Sequence, residues 1–297
     1  MRHNNCYYCG QNGFIFRSYR FEDLAIVADI KIEKKHEGWP GIPHGGLAMT
    51  TFIELIDIAK EFPAVFPYEY RFRFAGERLM CGDVVRCIVQ KGDARYYFGS
   101  FGKSLQQPYC NCRYSEGHVH EYSDEVIEIL KNNINASTPF IIPNMSTKLI
   151  NTVTPDHDKR IFYITDYTTD RTYLISNFSG KNNLAQAIDG SVHNGVLSSL
   201  LDETMGWSTF LSVWQAGVTV ELQITFYGKV YNTDNFHIIG FCDDIRGEYG
   251  KKITTAHGGV LAQRGDELAV IALAYGRWLT MPGYKELMIQ YLKHYIE

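Results

Sequence analysis

The sequence has no excess of one charge sign and no long apolar run, and each absence excludes a class of protein. Its 297 residues include 29 basic and 33 acidic side chains, for a net charge of −4. Nucleic-acid binding needs a clustered basic surface that releases counterions, so no nucleic-acid partner is predicted. No window approaches the roughly 18 apolar residues of a membrane-spanning helix. The first residues are too polar for a signal-peptide core, so no membrane partner is predicted either.

Cysteine is also scarce, and its seven residues lack the density of a disulfide scaffold. An odd, modest number favours a reducing compartment, which predicts a cytoplasmic protein. Cys6 and Cys9 form one pair of candidate zinc ligands, and Cys110, Cys112, His118 and His120 are the candidates to complete a tetrahedral site, with the four cysteines as the named set. The favoured interpretation is that these cysteines are reduced and packed, with no metal or other cofactor, and structural zinc is the alternative.

The chain is about twice the usual length of a domain, and two of its segments resemble each other. Residues 36–59 and 189–211 each place a glycine-containing turn and a histidine directly before a long apolar stretch without proline. Each segment is followed by an aromatic, strand-like run, at residues 68–76 and 218–228. These matches predict an internal repeat of roughly 140 residues.

Each repeat is predicted to have an α+β architecture, in which an antiparallel sheet wraps one buried helix. The two helical segments carry apolar residues on almost every side, and such a helix must be enclosed. Runs of β-branched and aromatic residues predict the other strands, at residues 25–32, 84–90, 95–103, 173–178, 236–241, 252–261 and 268–278. Amphipathic helices are predicted to close the repeats at residues 123–135 and 284–296. The domains are therefore residues 1–135 and 158–297, with a linker at residues 136–157.

The residues around the first turn resemble those of a known enzyme family. His44-Gly45-Gly46, preceded by Gly38-Trp39-Pro40-Gly41, is similar to the turn of PaaI-like hotdog-fold thioesterases. The second half resembles the same family through Leu200-Leu201-Asp202-Glu203-Thr204-Met205-Gly206-Trp207 and then Thr219-Val220-Glu221-Leu222. Together these matches span most of both halves, so the resemblance implies a tandem double hotdog.

The resemblance also implies where an active site would lie. In this family the first glycine after the histidine donates a hydrogen bond to the substrate, and the ninth residue after the histidine of the opposite unit supplies a carboxylate. The first half keeps Gly45 but has Ile53 at the ninth position, whereas the second half has Asp202 there and Asn194 in its turn. Gly45 and Asp202 are therefore expected to form one composite site, and the mirror site of Asn194 and Ile53 is expected to be defective.

The resemblance assigns a role to each residue of the composite site. Asp202 is the catalytic acid, Gly45 the donor to the carbonyl oxygen, and Thr219 a hydroxyl near the attacking water, while His44 shapes the turn. Substrate binding is assigned to residues near these groups, of which the small ones leave room for an acyl thioester: Gly46, Ser198, Glu203 and Gly206. Attack by Asp202 itself and general-base activation of water both stay open, as does a direct contribution from Glu203 or Glu54.

These assignments predict an acyl-CoA thioesterase that hydrolyses an acyl or aryl thioester, a small-molecule substrate. A non-catalytic acyl-CoA sensor is the alternative, since one turn and one acid are lost. A hydratase or dehydratase is less favoured because no aspartate and histidine have the spacing such enzymes use. His257-Gly258-Gly259 copies the turn motif, but Gln263-Arg264-Gly265-Asp266 after it is typical of a hairpin. Whether the double unit assembles into homo-oligomers is left open by the sequence.

Overall fold

The fold is described from a computed structural model, which covers residues 19–60, 63–93, 95–135, 138–141, 161–164, 172–179, 184–187, 189–247, 250–284 and 286. Within these residues the chain forms three α-helices: α1 (Gly45–Ala59), α2 (Asp124–Asn132) and α3 (Asn194–Val213). Short 3-10 turns occupy Lys34–His36 and Pro282–Tyr284. None of the described helices has both the length and the apolar character needed to cross a bilayer.

Strands make up most of the remaining described structure. The first half contains β1 (Arg20–Glu22), β2 (Ala25–Lys31), β3 (Glu37–Trp39), β4 (Ile42–Pro43), β5 (Tyr68–Phe74), β6 (Val84–Lys91), β7 (Tyr96–Gly102) and β8 (Cys110–Glu116). The second half contains β9 (Thr138–Ile141), β10 (Ile161–Ile164), β11 (Tyr173–Phe178), β12 (Gly217–Phe226), β13 (Phe236–Arg246), β14 (Ile253–Arg264) and β15 (Glu267–Thr280). The predicted strands therefore form, and the structure adds β1, β3, β4, β8, β9 and β10 to them.

One antiparallel sheet joins both halves, and its strand order is symmetrical about the pair β5 and β12. The order is β1-β2-β6-β7-β8-β5-β12-β15-β14-β13-β11-β10-β9. Outward from the junction, the first half has β5, β8, β7, β6 and β2, and the second half has β12, β15, β14, β13 and β11. Each half thus arranges its strands in the same chain order. The junction itself is a run of backbone pairs from Glu221 opposite Arg73 to Phe226 opposite Tyr68.

The helices α1 and α3 are enclosed, as their apolar sequences predict. Buried residues run without a break from Gly46 to Ile56 in α1 and from Gly195 to Leu211 in α3. The two helices approach each other through small residues near their N-termini. A Cβ atom on Gly46 would lie 2.3 Å from Ser199 Oγ, and one on Gly195 would lie 2.5 Å from Thr50 Cγ2. Only glycine permits this approach.

Helix α2 belongs to the first half in sequence but packs on the second half. Leu130 lies in a separate apolar cluster on the outer face of the sheet, with Ile239, Phe241 and Leu273. The hydroxyl of Tyr122, just before the helix, donates to the carbonyl of Leu273 at 3.2 Å. The trailing helix predicted at residues 123–135 is therefore present, and it connects the halves across the outer face.

Two other parts of the predicted organisation can be compared only in part. The segment predicted as a linker, residues 136–157, contains the strand β9, which pairs with β10 in the sheet. The other residues of that segment lie outside the described residues, as does nearly all of the helix predicted at residues 284–296. Cys6 and Cys9 also lie outside them.

The Cys110-x-Cys112 spacing is explained by strand alternation. Both side chains are buried on the inner face of β8, while Asn111 between them is exposed. Burial raises the pKa of each thiol well above its ordinary value, so both are held as neutral thiols. Across the described residues, no three His, Cys, Asp or Glu side chains are grouped so that they would hold a metal.

Candidate functional site

The histidine of the first turn caps helix α1. His44 is the N-cap residue with extended backbone angles, and its Nδ1 accepts the N–H of Gly46 at 2.8 Å. A ring nitrogen that accepts an N–H carries no proton, so Nδ1 is not a proton donor here. The N–H of Gly45 has no acceptor in the described part of the chain. It sits at the positive end of the helix dipole, where N–H groups are without intrahelical partners.

Asp202 reaches this turn from the other half of the chain. Helix α3 carries it nine residues after His193, and its side chain is only 5% exposed. One carboxylate oxygen, Oδ1, accepts the hydroxyl of Thr219 at 2.7 Å. The other, Oδ2, would lie 3.2 Å from a Cβ atom on Gly45. The structure thus brings together Gly45, Asp202 and Thr219, three residues that the sequence predicts for one site.

The position of Asp202 changes its acidity. Burial raises the pKa of Asp202 to about 7, although the hydrogen bond from Thr219 works in the opposite direction. The cause is the loss of solvation for the charged form. A carboxyl group with this pKa is a stronger base than an ordinary aspartate and is substantially ionised at neutral pH. That is the acidity suited to a general base or nucleophile near pH 7.

An irregularity in β12 directs Thr219 toward Asp202. The pairing of β12 with β15 shifts register between Thr219 and Glu221. Residues two apart in a regular strand share a face, yet Thr219 contacts Asp202 on the inner side while Glu221 contacts Arg71 on the outer side. A bulge of this kind re-aims a side chain. Without it, the Thr219 hydroxyl would face away from the carboxylate.

A cavity of about 420 Å³ opens beside these groups. Gly45, His44, Asp202 and Thr219 line one part of it, and the rest is mostly aromatic and aliphatic, including Trp39, Phe74, Tyr109, Trp207, Phe210 and Trp278. The indole N–H of Trp39 donates to the carbonyl of Gly217 at 3.1 Å, which fixes that ring in the wall. Such a mainly apolar cavity with a few convergent polar groups is typical of a small-molecule site.

The four residues predicted to bind substrate divide into two pairs. Gly206 and Glu203 line the cavity, and a Cβ atom on Gly206 would lie 3.1 Å from Trp278 Nε1. Gly46 and Ser198 are not among the residues that line it. The N–H of Gly46 is used by His44, and Ser198 is fully buried.

The mirror position has a different set of contacts. Asn194 Nδ2 donates to the hydroxyl of Tyr68 at 2.7 Å, and the ring of Tyr68 stacks on Phe226 with centroids 5.6 Å apart. Ile53 at the ninth position is fully buried. Glu54, the next residue, lies with Oε2 2.8 Å from Nε2 of His193. The carboxylate of Glu54 therefore pairs with His193, the histidine of the second turn.

Local sequence patterns do not identify the aromatic wall of the cavity. Phe74 is the last residue of β5 and Tyr109 directly precedes β8, and their rings meet at a centroid distance of 5.6 Å. Only long-range pairing places them beside Asp202. The one local signal was Trp39, an aromatic residue directly before the Pro40-Gly41 turn.

Comparison with known proteins supports the fold. No family model matches the chain, and no curated protein matches its sequence. Among solved structures, it is similar to a TesB protein from Mycobacterium avium subspecies paratuberculosis, with 10% identity, 89% of this chain and 95% of that chain covered, and a TM-score of 0.58. A protein of unknown function with a hotdog fold from Alicyclobacillus acidocaldarius has 11% identity, coverage of 89% and 96%, and a TM-score of 0.52.

A third similar structure is the acyl-CoA thioesterase II TesB2 from Mycobacterium marinum, with 9% identity, coverage of 89% and 94%, and a TM-score of 0.53. At such identities the likeness establishes the fold alone. The chain therefore has the hotdog fold, as the residues of its two turns predict, and the matches extend over most of its length.

Proposed function

We propose that the chain is a tandem double hotdog that acts as an acyl-CoA thioesterase at one composite site. The observation that carries the proposal is the meeting of Gly45 from one half with Asp202 and Thr219 from the other, beside an apolar cavity. The likeness to a structure described as an acyl-CoA thioesterase supports it. In this proposal residues 1–135 and 158–297 are the two hotdog units, and the symmetrical strand order supports that division.

The proposed chemistry follows from the donors and acceptors present. The thioester carbonyl oxygen accepts the N–H of Gly45, where the helix dipole stabilises the charge that develops in the transition state. Ionised Asp202 then either takes a proton from water as the water attacks the carbonyl carbon or attacks that carbon itself, and water hydrolyses the resulting anhydride. In both routes the C–S bond breaks, the thiolate leaves and takes a proton, and the carboxylic acid is released. His44 positions the turn and transfers no proton from Nδ1.

The test is thiol release from a panel of acyl-CoA and aryl-CoA esters. We expect Asp202→Asn to lower kcat by about a thousandfold, within the range for loss of a general base, while the circular dichroism spectrum is unchanged. Asp266→Asn is the matched control, because Asp266 follows His257 by the same nine residues but lies in the turn between β14 and β15. Thiol release at an unchanged rate by Asp202→Asn would contradict the proposal.

A second candidate is a non-catalytic acyl-CoA binding protein. The mirror position favours it, because Asn194 in that turn is bonded to Tyr68 and the apolar Ile53 stands in place of an acid. This candidate predicts tight binding of acyl-CoA with no thiol release by the unmodified protein. The same assay distinguishes the two candidates, and loss of enoyl absorbance in place of thiol release would indicate a hydratase.

We also propose that the protein is cytoplasmic. It needs no cofactor in this proposal, since coenzyme A is part of the substrate. The described cysteines, Cys81, Cys87, Cys110, Cys112 and Cys242, form no disulfide, which agrees with a reducing compartment. Metal analysis of the purified protein tests the cofactor proposal. Stoichiometric zinc would contradict it and would favour the ligand set of Cys6, Cys9, Cys110 and Cys112.

A further inference from the structure

The outer face of the sheet carries a cluster of arginines around one buried carboxylate. Arg73, Glu221 and Arg277 lie opposite one another on β5, β12 and β15. Arg71 Nε and Arg277 Nη2 each donate to an oxygen of Glu221, and Arg73 Nε makes a longer contact at 3.4 Å. We refer to Arg71, Arg73 and Arg277 as the arginine patch.

The patch has more positive charge than its own carboxylate neutralises. Burial works against ionisation of Glu221, but the hydrogen bonds from Arg71 and Arg277 outweigh it and hold its pKa below the ordinary value. Three guanidinium groups thus share one negative charge. Arg113 lies opposite Arg71 on β8 and adds a fourth cation, whose Nη2 donates to the hydroxyl of Tyr96. Like charges at this spacing repel one another, so an anion would stabilise the cluster.

Part of this charge is open to solvent. The Arg73 side chain is 62% exposed, whereas that of Glu221 is 3% exposed. Glu69, which precedes Arg71 by two residues on β5, accepts hydrogen bonds from the N–H of His120 at 2.7 Å and from Gln223 at 2.8 Å. Among the described residues, Glu221 is the one acid that contacts Arg73, through Nε, so its other guanidinium nitrogens are available to an external anion.

The arginine patch lies at the same end of the sheet as the cavity. Phe74, Val220 and Trp278 line the cavity, and each is the sequence neighbour of Arg73, Glu221 or Arg277. Because side chains alternate along a strand, the cavity and the patch occupy opposite faces of the same three strands. Beyond the end of β5, Arg78 lines the cavity, is exposed, and makes no ion pair with any described residue. Cations therefore extend from the cavity mouth around the strand end to the outer face.

We propose that the arginine patch, with Arg78 at the mouth, binds the phosphate groups of the coenzyme A portion of the substrate while the acyl group occupies the cavity. The inference rests on the proposed thioesterase function. Guanidinium groups pair with phosphate oxygens through two parallel hydrogen bonds. Coenzyme A carries a diphosphate and a 3′-phosphate, and several separate guanidinium groups suit several phosphates. A pantetheine arm attached to a carrier protein has a single phosphate and would leave most of the patch unpaired.

The test compares two substrates with the same acyl group, an acyl-CoA and an acyl-N-acetylcysteamine thioester, which lacks every phosphate. We expect Arg73→Gln to raise KM for the acyl-CoA by about tenfold, the cost typical of one lost charge-assisted pair, with kcat unchanged. In the same variant, we expect kcat and KM for the acyl-N-acetylcysteamine thioester to stay unchanged. Arg73→Lys keeps the charge but not the paired geometry. We therefore expect its KM for the acyl-CoA to lie between that of the unmodified protein and that of Arg73→Gln.

Arg73 is the suitable position because its contact with Glu221 is the longest, so Arg71 and Arg277 still hold that carboxylate in the variant. The matched control is Arg86→Gln. Arg86 is an arginine of similar exposure, 47%, on β6 of the same sheet, but it is paired with Asp29. We expect this control to leave KM for both substrates unchanged.

Two results would overturn the inference: an unchanged KM for acyl-CoA in Arg73→Gln, or an equal rise in KM for both substrates. If the unmodified protein hydrolyses neither substrate, the proposed function has failed, and calorimetric titration with free coenzyme A then tests the patch separately. Weaker binding by Arg73→Gln but not by Arg86→Gln would support the patch. Equal binding by both variants, or no binding by the unmodified protein, would refute it.

Discussion

His44 and His193 hold equivalent places in the two halves and make the same capping contact, yet they face different acids. Each accepts through Nδ1 the N–H of the residue two positions later, Gly46 or Gly195. His44 Nδ1 lies 3.8 Å from Asp202, beyond hydrogen-bond distance, whereas His193 Nε2 is 2.8 Å from Glu54. The caps are therefore structural in both halves, and the difference between the halves lies in the acid each one meets.

The unusual acidity of Asp202 has a consequence for stability that does not depend on catalysis. Its pKa is raised from 3.8 to about 7 by burial, so between about pH 4 and pH 7 the folded protein holds a proton that the unfolded chain releases. The free energy of unfolding therefore falls as pH rises through this window. It becomes independent of Asp202 above pH 7.

Asp202→Asn removes the free-energy cost of burying a charged carboxylate, while the amide oxygen can still accept a hydrogen bond from Thr219. We expect the variant to equal the original protein in stability near pH 4 and to exceed it by roughly 4 kcal/mol above pH 7. Urea unfolding at pH 4.5 and pH 8 measures the difference, with Asp266→Asn as the control. A stability difference that is the same at both pH values would contradict the raised pKa.

At the scale of elements, the crossing of α1 and α3 depends on glycine at two equivalent positions. We expect Gly195→Ala to lower the free energy of unfolding by about 1–3 kcal/mol, the usual cost of overpacking, because the added Cβ would lie 2.5 Å from Thr50 Cγ2. Urea denaturation measures the change. In the double variant with Thr50→Ser, which lacks that methyl group, part of the stability returns.

The control for this experiment is Gly228→Ala. A Cβ atom there would lie 3.6 Å from Ile271 Cδ1, an ordinary contact, so we expect little change in the free energy of unfolding. Equal losses in Gly195→Ala and Gly228→Ala would contradict the close helix crossing.

Element by element, the sequence predicts what local patterns encode. The enclosed helices and the strands rich in β-branched and aromatic residues are confirmed, because hydrophobic periodicity reports them directly. Strand β8 was missed because its inward residues Cys110 and Cys112 suggested metal ligands. The bulge at Thr219 and the packing of α2 on the opposite half were also missed, since both arise from contacts between segments far apart in the chain.

The composite site could be anticipated to a greater degree than the cavity around it. The resemblance gave a spacing rule that places Asp202 beside Gly45, and the structure has them together. No comparable spacing rule predicts the positions of Tyr109 or the arginine patch, because those positions follow from strand register. The roles of Asp202, Gly45, His44 and Thr219 in catalysis stay predictions until the variants are assayed.

The two halves are joined in three places: the β5 and β12 junction, the crossing of α1 and α3, and the helix α2 that packs on the second half. We therefore expect the halves to unfold in one cooperative step. Leu130→Ala, which removes an apolar contact of α2, should lower the free energy of unfolding by about 2–4 kcal/mol and keep a single transition. Coincident midpoints by circular dichroism and by tryptophan fluorescence verify this expectation. Separate midpoints would show that the halves are independent.

The tryptophans in the aromatic wall of the cavity provide an intrinsic fluorescence signal for ligand binding. Of the four tryptophans in the chain, Trp39, Trp207 and Trp278 line the cavity, and Trp214 is exposed elsewhere on the surface. A molecule that enters the cavity contacts residues Trp39, Trp207 and Trp278 in its wall, and we expect it to change their emission. Iodide quenches mainly the exposed Trp214, so the signal from the cavity can be separated from the surface. Ligand affinity can thus be read without a label, even in variants that do not turn over substrate.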